Sequence, residues 1–166
     1  QLAAVTDPNL GNPWGIARSA TSPWWVADNA TGVSTLYNGS GQRFPTNSPL
    51  VVTVPPHLGG SGAGTPTGIV FNGSSDFEVA TGQPARFIFV TLDGTISGWN
   101  PTADPTNAIK KVDNSSSLAI YTGAAIASMG GASRLYVANF HSGKLEVFDT
   151  HFNPVTLPAG AFTDSD

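Results

Sequence analysis

The chain has 166 residues with 19 glycines and 13 prolines, and only 11% are charged against 40% hydrophobic, a balance that suits one turn-rich β domain and disfavours long helices. Its formal net charge of -4, with seven Lys and Arg scattered along the sequence, offers no basic stripe for nucleic acid, and no apolar run nears the roughly 20 residues that cross a bilayer. The absence of cysteine rules out disulfides, thiolate metal sites and a cysteine nucleophile.

In chain order, NPWGIA (12–17) reads as a short strand, and WVADNATGVSTLYN (25–38) as a hairpin in which alternating runs flank an Asn/Asp/Gly turn. PLVVTVP (49–55) adds a fourth strand. A glycine-rich connection, HLGGSGAGTPTG (57–68), leads to TPTGIVF (65–71), the hairpin IFVTLDGTISGWN (88–100) and AIKKVD (108–113). YTGAAIA (121–127) and the hairpin YVANFHSGKLEVFD (136–149) follow, with a weaker strand signal in PVTLPAGAF (154–162).

These segments superimpose as a repeat. Gly32, Gly94 and Gly143 coincide, at intervals of 62 and 49 residues, and so do Tyr37, Trp99 and Phe148. Four antiparallel strands per repeat describe a β-propeller blade, so the expected fold is all-β, one domain over 1–166 with blades at about 12–55, 65–113 and 119–163. Closed propellers typically have four to eight blades. Three therefore call for self-association, a complementary half-propeller chain, or a longer polypeptide.

DPNLGNPWGIA, PWWVADNATGVSTLYNG, PTGIVFN, ARFIFVTLDGTISGWNP and LYVANFHSGKLEVFD resemble, in this order, a family of secreted bacterial and fungal proteins known as conserved hypothetical β-propellers. The GIA and YVAN segments are more distantly similar to NHL repeats. The resemblance implies a six-bladed ring of which this chain would be half, together with export, but supplies no catalytic residues. Low charge and an Asn/Ser/Thr/Gly-rich composition point the same way, to a secreted or cell-surface protein, with Gln1 a candidate product of processing.

In a propeller the loops entering each blade and those joining its second and third strands gather on one face. Here they supply Asn12, Trp14, Asp28, Asn29, Asp93, Asn139 and His141 as candidate ligand-binding residues at the channel mouth. Asp28, Asn139 and His141 are the candidate metal ligands, for a divalent cation such as calcium. The plain alternative is turn chemistry, in which Asp and Asn side chains bond nearby backbone. His57 and His151 read as loop residues.

GxSxG, HExxH and EF-hand patterns are absent. The recurrence of Tyr37, Trp99 and Phe148 argues for packing between blades, and adjacent Trp24 and Trp25 must face opposite sides of a strand. Asn29, Asn38, Asn72 and Asn114 head sequons that a eukaryotic secretory pathway could glycosylate. The expected function is a non-catalytic extracellular module for binding or assembly; the alternative is a metal-assisted hydrolase or lyase with its site at the channel mouth.

Overall fold

Period-two alternation and glycine turns are realised as thirteen strands in a computed structural model that describes residues 6–129 and 131–162. β1 (Pro13–Ala17), β2 (Trp24–Asp28), β3 (Val33–Tyr37) and β4 (Val51–Thr53) make the first antiparallel sheet, in chain order. After β5 (Pro66–Phe71) comes a two-stranded hairpin, β6 (Glu78–Ala80) and β7 (Gln83–Pro84). Then β8 (Phe87–Thr91), β9 (Thr95–Trp99) and β10 (Ile109–Asp113) join β5 as the second sheet, in the order β5-β8-β9-β10. The third sheet is β11 (Tyr121–Met129), β12 (Ala132–Asn139) and β13 (Lys144–Phe148).

The three hairpin turns close as the aligned glycines require. Gly32, Gly94 and Gly143 have φ of 71°, 76° and 67°, a region that glycine enters without penalty. Cross-strand pairing carries the equivalence through all three sheets, since Trp24 pairs Tyr37, Phe87 pairs Trp99 and Leu135 pairs Phe148.

The middle sheet is covered on both faces, so every residue of β8 and β9 is buried. Toward the first sheet, Phe87, Phe89 and Trp99 pack with Trp25, Leu36 and Val52. Toward the third, Ile88, Val90 and Ile96 pack with Tyr121, Leu135 and Phe148. The two tryptophans divide as strand alternation demands: Trp25 is 2% exposed and Trp24 37%, with the Arg18 guanidinium 5.0 Å above the latter ring.

The first strands β1, β5 and β11 lie against one another, and glycine permits it. A Cβ on Gly15 would sit 2.4 Å from the Thr67 carbonyl oxygen, and one on Gly68 2.8 Å from the Ala124 nitrogen. At the outer edge the Thr53 amide donates to the Thr106 carbonyl and the Ala108 amide to the Thr53 carbonyl, tying the first sheet to the second.

Two features depart from the expected pattern. The third sheet has three strands rather than four: past β13 a single bridge pairs Phe148 with Pro154, because Pro154 and Pro158 bring no N–H to a ladder. The β6–β7 hairpin is an insertion, held where Phe77 meets Phe152 edge-on at 5.4 Å. Gln1, the candidate processing product, and the expected last residue of the third repeat at 163 lie outside the described residues.

Candidate functional site

The loop that enters the second sheet, the turn between β8 and β9, and the loop that enters the third sheet enclose a groove of about 740 Å³. His57, Asp93, Asp113 and His141 supply its polar lining, while Leu58, Leu92, Leu118 and Ile120 supply apolar surface. Of the residues singled out in the sequence, the structure brings Asp93 and His141 together here.

Asp93 builds the wall. Its carboxylate accepts the His57 amide at 2.9 Å, the Thr65 amide at 3.1 Å and the Thr65 hydroxyl at 2.8 Å, closing both ends of the glycine-rich loop onto the β8–β9 turn. Burial pushes this carboxyl up, but hydrogen bonds from Thr65, Thr91 and His57 outweigh it and hold it below the usual carboxylate range. His57 Nδ1 stands 3.7 Å from Asp93 Oδ2.

Asp113 plays the same part nearby, accepting from the Lys110 ammonium at 2.7 Å, the Leu58 amide at 2.6 Å and the Ser115 hydroxyl at 2.6 Å. Desolvation raises its carboxyl, and these donors more than reverse the effect. Both acids are thus ionised and saturated with donors, which suits scaffolding rather than proton abstraction. Ser115 donates to a carboxylate rather than to a histidine.

The remaining candidates are not among the residues that line the groove. Asn12 donates to Asn29, and Asn29 in turn to the Pro66 carbonyl, which joins two entry loops. Trp14 lines a separate shallow cleft with Ile16, Thr67 and Thr122 along the inner strands. Asp28 is fully buried: its Oδ2 accepts the Thr35 hydroxyl at 2.6 Å, and its Oδ1 has no partner among the described residues. Burial pushes this carboxyl up to about 6, against the lowering by Thr35, with the Asp7 charge adding to the rise.

The three candidate metal ligands stand in different local settings. His141 lines the groove, Asp28 is enclosed beside Thr35, and the Asn139 side chain is spent on local bonds. Its Oδ1 accepts from Ile120 and His141 amides, and its Nδ2 donates to Glu146 at 2.6 Å. Among the described residues no group of three or more His, Cys, Asp or Glu is placed to hold a metal ion. The turn chemistry of Asx residues accounts for the bond between Asn139 and the His141 amide, whereas Asp93 accepts from distant His57 and Thr65.

The groove also includes His57, which the sequence places in a loop, and Asp113, Ser115 and Ser116, which the sequence does not mark as site residues. The position of His57 follows from a loop folding onto a turn 36 residues away, a contact that no local pattern announces. Of the sequon residues, Asn72 is 1% exposed and its Nδ2 donates to the Asp76 and Ala85 carbonyls. Asn114 donates to the Tyr121 hydroxyl, while Asn38 bonds within its own turn.

No family model matches this chain. Three uncharacterized proteins of Acanthamoeba polyphaga mimivirus are similar to it. The first is 30% identical over 170 residues, covering 99% of this chain and 42% of the relative; the second is 29% identical, covering 99% and 39%. A third is 35% identical over 105 residues, covering 61% of this chain and 19% of the relative. The chain thus spans about two fifths or less of the length of the curated relatives it matches.

Proposed function

We propose that the chain is a non-catalytic β-propeller module, three blades of a six-bladed ring, that serves binding or assembly outside the cell. The observation that carries the reading is the repeated junction of consecutive meander sheets, in which Gly15 meets β5 and Gly68 meets β11 through the same strand position. A sandwich has no reason to repeat one junction in this way. The groove between the second and third sheets is the binding surface of this module, with saturated acids as its frame and His57, His141 and leucines as its contacts. Export is supported by the low charge, by the Asn/Ser/Thr-rich composition and by the resemblance to secreted propellers.

An experimental structure of the assembled particle tests this reading. Blades radiating from one axis through β1, β5 and β11 are the expected result; sheets stacked face to face without a common axis would overturn it.

A further inference from the structure

Among the described residues, neither the first nor the third sheet has a counterpart of the β6–β7 hairpin, and the second sheet is shaped to receive it. Strand register puts Gly98 where the other two repeats have Leu36 and Val147. A Cβ on Gly98 would sit 2.6 Å from Val79 Cγ1 and 2.7 Å from the Ala85 Cβ. Glycine at this position is what lets the hairpin lie on β9.

The contact of the hairpin with the third repeat is strained. Phe77, just before β6, and Phe152, in the loop after β13, both hold positive φ, 61° and 65°, a backbone region that is costly for side chains of this size. Both rings are buried against each other, and the Phe77 amide donates to the Thr150 carbonyl at 2.8 Å. Strain of this kind persists where the surroundings over-determine it, and it clusters at ligand sites. Beside the two phenylalanines, a cavity of about 490 Å³ opens between the hairpin, β10 and the 149–153 loop.

This cavity carries both signs of charge. Asp76 and Glu78 line it from the hairpin, Lys111 from β10 and His151 from the loop. Asp76 bonds through its amide and its carbonyl, to Ser74 and Asn72, while no donor among the described residues reaches its carboxylate. Glu78 accepts the Gly82 amide at 3.1 Å. The Lys111 ammonium has no carboxylate within 4.0 Å among the described residues; it makes one long bond, 3.5 Å, to the Val79 carbonyl and stands 6.0 Å from the centre of the Phe152 ring. Its neighbour Lys110, by contrast, is paired with Asp113 at 2.7 Å.

We propose that this cavity binds a small zwitterion, an α-amino acid or a solute bearing the same two groups, with its carboxylate on Lys111 and His151 and its ammonium on Asp76 and Glu78. Charge-assisted hydrogen bonds at both ends favour such a ligand. A solute with one charge satisfies one side of the cavity and leaves the other unpaired, which is the source of selectivity. The site shares no residue with the groove between the second and third sheets and stands independently of how the sheets are arranged about an axis.

Titration of the isotope-labelled chain with L-serine, followed by backbone amide chemical shifts, tests the proposal. Saturable shifts confined to residues 75–81, 111 and 150–152 are expected. N-acetyl-L-serine, which lacks the ammonium, and L-serinamide, which lacks the carboxylate, should each bind about 10-fold or more weakly. Lys111→Met and Asp76→Asn should each abolish the response and leave the rest of the spectrum in place, since Lys111 is exposed and Asp76 half-buried. The proposal is overturned if about 50 mM L-serine moves none of these amides, if either capped probe or glucose binds there as well as L-serine, or if both variants respond like the wild type.

Discussion

Trp25 of β2 and Phe87 of β8 stack with ring centroids 4.2 Å apart and planes 20° from parallel, and this pair forms the centre of the junction between the first and second sheets. Truncating Trp25 to Ala leaves a cavity between two sheets that are each fixed by their own ladders, so collapse is limited. The expected loss is about 3–5 kcal/mol, whereas Trp24→Ala, at a partly exposed position of the same strand, costs distinctly less. Urea unfolding separates the two; equal losses would contradict the assigned facing.

Asp28 gives the protein a pH dependence of defined sign. Its folded-state pKa is raised from 3.8 to about 6 by burial, so the native state holds its proton more tightly than the unfolded chain. The resulting stabilisation is fully present below pH 3.8 and is lost as pH rises through about 6. From this group alone stability should fall by at most about 3 kcal/mol between pH 4 and pH 8. Asp28→Asn, which keeps an acceptor for Thr35 and carries no charge, should remove that part of the slope. A pair of thermal denaturation series across this range measures it, and parallel curves for the two proteins would refute the assignment.

Asp93 acts in the opposite direction. Its lowered pKa means stabilisation present above its ordinary value of 3.8 and lost as pH falls through the lower folded-state value. Replacing it with Ala strands the His57 and Thr65 amides at a cost of roughly 1–3 kcal/mol. The more local consequence is release of the glycine-rich loop. Amide exchange at His57 and Thr65 should accelerate strongly while that in β8 and β9 stays slow; unchanged exchange in the loop would show that the carboxylate does not hold it.

The sequons make a separable prediction. Expressed through a eukaryotic secretory pathway, the folded chain should carry no glycan on Asn72, whose amide nitrogen is buried and donating to two carbonyls. Mass spectrometry of glycosidase-treated peptides reads each site, and full occupancy at Asn72 would be incompatible with this local structure.

Much of the architecture is written in local chemistry. Gly32, Gly94 and Gly143 mark hairpin turns because only a residue without Cβ takes their backbone angles freely, and alternation in each flanking run fixes which side chains share a face. That is enough to set apart Trp24 from Trp25 and to align Tyr37, Trp99 and Phe148 from the sequence alone. The sequence also suggested equal four-stranded repeats, and there it ran ahead of the chain. Pro154 and Pro158 interrupt the last strand. The β6–β7 hairpin is held by the packing of Phe77 and Val79 in a cluster that includes Phe152, 75 residues from Phe77, which no local pattern announces.

The candidate site shows the same division more sharply. Sequence order determined that the loops bearing Asp28, Asp93 and His141 occupy equivalent places in three repeats. Only tertiary packing decided that Asp28 is enclosed beside Thr35, that Asp93 is consumed in clamping a distant loop, and that His57 joins His141 in a groove. Turn geometry depends on neighbours in the chain and can be read from them. Burial and hydrogen-bond saturation depend on which segments meet across tens of residues, and those contacts exist only once the sheets have packed.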